Sequence, residues 1–177
     1  FRSQPSDAIK AGIAYVTEDR KGDGLILIQT IKQNISISNL QAITANNVID
    51  QNEEIMIANG YKESLNIKAP NIEQIVGNLS GGNQQKVLVS KWMFTDSDIM
   101  ILDEPTRGID VGAKAEVHNI LLDLAKQGVS IIVISSELPE ILGIADRILV
   151  MHEGEIKGEV LRSEATEEKI MRVAAGL

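Results

Sequence analysis

Two short stretches carry residues whose order suits phosphate chemistry. The first is Ile99-Met100-Ile101-Leu102-Asp103-Glu104, four apolar residues followed by two acids. An unbroken apolar run of that length predicts a buried parallel strand. A strand that ends in carboxylates presents them at the carboxyl edge of the sheet, where ligands of α/β folds bind. There the first acid can hold Mg2+, because a hard cation that keeps its own waters needs few protein oxygens. The second can orient or deprotonate an attacking water. The plain alternative is a strand that ends at solvent with two acids. The second stretch is Leu79-Ser80-Gly81-Gly82-Asn83. Ser80 is a good N-cap residue, and two glycines leave the first-turn N–H groups of a helix open to an approaching group. The positive end of the helix dipole then favours phosphate. Its plain alternative is a capped helix with a glycine turn.

The elements that must position these groups follow from periodicity. Ile13–Thr17 is a short β-prone run, and the EDRKGDG that follows reads as a loop. From Gln29 to about Pro70 Asn becomes frequent and strand-like alternation disappears, while Asn52–Ser64 has helical spacing. This predicts a mainly helical subdomain inserted into an α/β core. Gly81–Phe94 and Val111–Lys126 read as helices, with Gly128 ending the second. Ser130–Ile134 predicts another all-apolar strand and Leu138–Ile144 a short helix. Arg147–Met151, Glu153-Gly154 and Glu155–Val160 predict a β-hairpin, and a final helix begins near Glu164. Strands alternating with helices mean an α/β fold with a mostly parallel sheet.

Composition excludes several function classes. The 177 residues suit one domain; 25 acids against 17 bases give a net charge of −8, which argues against a nucleic-acid surface. Cysteine is absent, so thiolate metal sites and disulfides are excluded, and His118 and His152 stand in no ligand-like spacing. No apolar run approaches the roughly 20 residues that span a bilayer. The N-terminal FRSQPSDAIK has no signal-peptide h-region and no initiator Met, so the expectation is a soluble, cytosolic chain that starts inside a longer polypeptide.

LSGGNQQK, then a helix, then ILDEPTRGID resembles the signature motif, Walker B strand and D-loop of the ATP-binding-cassette (ABC) family. AYVTEDRKGDG falls where that family has its Q-loop, IIVISSELPE where it has its H-loop, and DRILVMHEGEI resembles the hairpin that follows. EDRK, LSGGNQQK, EPTRGIDVGAK and SSELPE together look most like the second cassette of fused sugar-import ATPases of the ribose, galactose or xylose type. The resemblance implies a P-loop NTPase-like core: residues 1–28 form a core strand and Q-loop, 29–78 a helical subdomain, and 79–177 the remaining motifs. Asp103 is then the Mg2+-associated acid and Glu104 holds the catalytic position. Ser80, Gly81 and Gly82 then meet the γ-phosphate of an ATP held by a partner cassette, and Asn83, Gln84, Glu18 and Asp110 join them as nucleotide-binding residues. Asp110 is the D-loop acid between cassettes. Implied partners are a second cassette, a membrane permease met through about Gln29–Ile75, and indirectly a periplasmic sugar-binding protein, on the cytoplasmic side of the membrane.

Three departures sharpen this expectation. The chain contains no GxxxxGK[ST] and no Gly-Lys pair, so the lysine and backbone cradle for the phosphates lies outside it. Glu18 occupies the Q-loop glutamine position and, when ionised, only accepts hydrogen bonds. Ser136 stands where the family has its switch histidine, and a hydroxyl holds no positive charge against a γ-phosphate. The expected function is therefore asymmetric: an ATPase component that completes a partner's site, with a weak site of its own and no activity as an isolated chain. A soluble non-transport cassette ATPase and a non-catalytic interaction module are the alternatives.

Overall fold

The computed structural model describes residues 4–176. The chain divides after Ile134 into two compact units. The first opens with helix α1 (Pro5–Lys10) and strand β1 (Ile13–Val16). The helical segment follows, with α2 (Ile31–Ser36), a 3-10 stretch (Ile37–Ile43) and α3 (Gln51–Ser64). Then come α4 (Gly81–Met93), a strand numbered β4 (Ile99–Asp103), α5 (Val111–Lys126) and β5 (Ser130–Ile134). Between the 3-10 stretch and α3 lie the two-residue strands β2 (Thr44–Ala45) and β3 (Val48–Ile49). Asn46 and Asn47 take the left-handed conformation at their turn, which asparagine tolerates. That small ladder interrupts a segment that is otherwise mainly helical, as the sequence predicts.

β1, β4 and β5 form a parallel sheet in that order, in register Tyr15↔Ile101↔Ile132. One face is packed: Ala14, Val16, Met100 and Leu102 are buried beneath the helices. The other face is open, with Tyr15 47%, Ile132 50% and Ile134 48% exposed. β5 stands last in this order, with Ile132 and Ile134 on the open side. The helical segment shares the sheet's core, since Ile31, Ile35, Ala58 and Ile67 join one cluster with Val16 and Leu102. α4 runs through the middle of this unit. Val87, Leu88 and Val89 are all fully buried, so no face of the helix at that turn meets water. Each such side chain contributes about 1.5–3 kcal/mol by leaving water.

The predicted loop at EDRKGDG is instead a π-helical turn, Arg20–Gly24. The Asp19 carboxylate accepts from Lys21 and Gly22 N–H, and Leu25 N–H reaches the Arg20 carbonyl five residues back. Lys91 of α4 fixes its end by donating to the Gly24 carbonyl at 2.9 Å.

In the second unit, α6 (Leu138–Ile144) precedes the antiparallel pair β6 (Arg147–His152) and β7 (Glu155–Leu161). Glu153 and Gly154 both take positive φ, as a two-residue type I′ turn requires. The final helix α7 (Glu167–Ala174) starts three residues later than its sequence suggests, because the Thr166 hydroxyl caps it at Lys169 N–H. Ile148, Val150, Val160 and Ile170 form this unit's core.

Candidate phosphate-binding site

β4 delivers its acids to the carboxyl edge of the sheet. Asp103 is its last residue and lies on the open face, where the Tyr15 hydroxyl donates to Asp103 Oδ2 at 2.8 Å. That hydrogen bond, aided by slight burial and by the Asp103 charge, holds the Tyr15 phenol above its ordinary pKa. Glu104 follows with φ of 44°. Its N–H donates to the Ile134 carbonyl at 2.8 Å, so the left-handed kink is pinned by the neighbouring strand. Such a conformation in a residue with a side chain costs about 1–3 kcal/mol and gathers at functional sites.

The start of α4 is built differently from its sequence expectation. Ser80 occupies the N-cap position, but its side chain caps none of the first-turn N–H groups. Its Oγ accepts instead from Asn83 Nδ2 at 2.9 Å, while Asn83 Oδ1 accepts from Lys68 N–H at 2.8 Å. The glycines are required by packing as well as by openness. A Cβ on Gly82 would stand 2.4 Å from Ala113 Cβ, and one on Gly81 would stand 3.0 Å from Arg20 Nη2. Ser80, Gly82 and Asn83 line one depression together with Asp110, Lys68 and Gly112. Asp110 caps α5, accepting from Ala113 N–H at 2.9 Å. Gln84 is brought to a different place: it is buried, and its amide donates to the Val76 carbonyl at 3.2 Å.

Glu18 lies in a second depression, in an ion pair with Arg107. Arg20 beside it donates from Nη1 to the Arg107 carbonyl (2.7 Å) and from Nη2 to the Gly108 carbonyl (3.1 Å). One planar guanidinium thereby ties the π turn to the loop that leads into α5. Arg20, Arg107, Tyr15 and Lys68 are the residues that sequence reasoning did not assign. Their partners are backbone groups or side chains distant along the chain, which no local pattern marks. Ser136 belongs to the second unit and is exposed. Beside it, Ser135 donates to Glu140 and accepts from Glu137 N–H.

Known proteins place these features in context. The family model described as ABC transporter matches residues 2–107. The L-arabinose transport ATP-binding protein AraG of Geobacillus stearothermophilus is 58% identical over 97% of this chain and 33% of its own length. The xylose import ATP-binding protein XylG of Thermoanaerobacter pseudethanolicus is 54% identical, over 97% and 34%. The ribose import ATP-binding protein RbsA of Oceanobacillus iheyensis is 51% identical, over 97% and 35%. The chain thus spans about a third of the length of these relatives. A solved nucleotide-free ATP-binding cassette from an ABC transporter shares the fold, with TM-score 0.77 at 23% identity over 98% of this chain and 68% of that one. A dimeric cassette in a post-hydrolysis state with ADP and Pi gives 0.74 at 18%, over 91% and 68%. A match over more than half the chain, in a fold that sets Ser80 at a helix start and Asp103-Glu104 at a strand end, shows that it belongs to the ABC transporter family.

Proposed function

We propose that this chain is the part of a sugar importer's ATP-binding protein that carries the signature helix, and that it serves chiefly an ATP held by another cassette. Relatives named for arabinose, xylose and ribose support a monosaccharide as the cargo. The carrying observation is Ser80: exposed at the start of α4, with a hydroxyl that caps nothing in its own helix. Together with the first-turn N–H groups of Gly81 and Gly82 it offers donors, and the helix dipole favours an anion there. Asp110, lining the same depression, borders the second cassette.

The chain's own nucleotide site is the weaker one. Asp103, half-buried at the sheet edge, and Glu104 next to it suit Mg2+ that keeps water and takes phosphate oxygens, the arrangement this ion uses with one or two carboxylates. When bound, Mg2+-ATP supplies the anhydride whose hydrolysis drives transport. Glu104 orients the attacking water. Glu18 cannot donate to that water, and its carboxylate is committed to Arg107. Ser136 offers a hydroxyl where a charged group is wanted. Gln84 supports α4 from inside rather than touching nucleotide.

Residues 1–28, 29–78 and 79–177 serve as core strand and Q-loop, permease-facing helical subdomain, and motif-bearing part. No helix among the described residues is long and apolar enough to cross a membrane. As part of a sugar importer, the protein works at the cytoplasmic face, against a permease fed by a sugar-binding protein on the other side. Ser80→Ala in the intact transporter tests this reading: ATP hydrolysis and sugar uptake should fall together. Hydrolysis lost with no sugar uptake to lose would favour a non-transport ATPase. Hydrolysis unchanged would favour an interaction module.

A further inference from the structure

We propose that Asn83 is a positioning residue that fixes the Ser80 hydroxyl as a hydrogen-bond donor toward phosphate, an inference that rests on the function proposed for Ser80. A side-chain amide has one accepting and one donating end, and its surroundings decide which way it faces. Here the decision is made by the Lys68 backbone N–H, 2.8 Å from one end of the Asn83 amide. A backbone N–H only donates, so the atom facing it must be Oδ1. The NH2 end is then left facing Ser80 Oγ at 2.9 Å. A serine hydroxyl donates or accepts as its neighbours require. Against an NH2 group it accepts, and its own proton points elsewhere.

Ser80 donates to no group among the described residues and opens onto the depression it shares with Gly82 and Asp110. A phosphate oxygen has no proton and takes donors only. A hydroxyl already committed to donating meets it without reorganisation, which is where fixed dipoles gain over water. The strap that sets this polarity is itself anchored. Lys86 Nζ donates to the Asn66 carbonyl at 2.9 Å, and Asn66 holds a left-handed φ of 50°. Residues 66–68 are therefore held to α4 at two points, and donor-to-acceptor order runs from Lys68 through Asn83 to Ser80.

The test uses the full ATP-binding protein with its permease, read by equilibrium binding of a non-hydrolysable Mg2+-ATP analogue and by ATPase rate. Asn83→Asp keeps an acceptor for Lys68 but removes the donor, so the carboxylate takes the Ser80 proton for itself. Folding should survive, since an acid in the first turn of a helix is favourable. At pH 8 analogue affinity should fall on the order of 10- to 100-fold, the size of a lost bond to a charged group. Asn83→Ala leaves the hydroxyl free to turn and should lose less than about 5-fold, a neutral bond's range. The Asn83→Asp deficit should shrink only as pH falls toward about 4, the ordinary aspartate range, where the introduced carboxyl takes a proton and can again donate. A merely structural strap predicts the reverse order, because Asp keeps the Lys68 bond and Ala removes it. Ala equal to or worse than Asp, or a deficit flat with pH, overturns the proposal while a Ser80→Ala loss still upholds the site. If Ser80→Ala itself leaves affinity unchanged, the underlying reading of Ser80 has failed.

Discussion

Ser80 and Asp103 show how far single residues can be read. Four apolar residues ahead of Asp103 sufficed to place the acid at a strand end, and two glycines after Ser80 marked a helix start. What each side chain touches was not legible. Tyr15 and Asp103 are 88 positions apart, as are Arg20 and Gly108, and no local pattern encodes contacts at that separation. The Tyr15 bond has a measurable consequence. Its phenol is raised by the bond to Asp103, and the second tyrosine, Tyr61, is raised by burial and by the charge of Asp96. With only these two tyrosines in the chain, absorbance titration near 295 nm should place the midpoints of both phenolate transitions above pH 10, the ordinary tyrosine value. Phenols that bind their protons more tightly when folded add stability below that pH, and lose it as pH rises through the folded value. Tyr15→Phe should therefore flatten the alkaline loss of stability. A phenol titrating at or below pH 10 in the native protein would contradict this assignment.

Helices and strands were the most legible level, because each has a periodic face and a recognisable end. α5 begins after Asp110 and stops before Gly128 as its caps dictate. The π turn at Arg20–Gly24 escaped notice because it is held by Asp19 below and by Lys91 of a distant helix above. The same distance effect governs the glycines of α4. Read locally, Gly82 opens the backbone to a ligand; in the fold it is also where α4 packs against Ala113 of α5. Gly82→Ala should cost about 1–3 kcal/mol through overpacking, and a thermal melt would register it. Pairing it with Ala113→Gly removes the clashing Cβ, so the double variant should lose less than the two single losses added. Additive losses would mean the two helices do not meet there. The Glu18–Arg107 pair and the Arg20 fork hold the other side of this junction, so the loop before α5 is fastened at both ends.

At the scale of the molecule, one feature of the sheet could not be foreseen from apolar runs. Within these 177 residues, which span about two thirds of a solved cassette, the sheet is packed on one face, and Tyr15, Ile132 and Ile134 lie beside Asp103 on the other. An all-apolar strand looks the same in sequence whether one layer or two covers it. The absence of any Gly-Lys pair was legible, and it bears on the chain as a whole. Calorimetry of the 177-residue chain with Mg2+-ATP should show only feeble binding, and no phosphate should be released; micromolar affinity would contradict this. The central claim is that the chain gives more to a partner's nucleotide than to its own. The direct measurement is the ATPase rate of the intact transporter carrying Ser80→Ala or Glu104→Gln, compared side by side. The account predicts a loss on the order of 100-fold or more for Ser80→Ala, comparable to removing a donor from a preorganised site, and a rate within about 5-fold of the parent for Glu104→Gln. Equal losses from the two substitutions would contradict it.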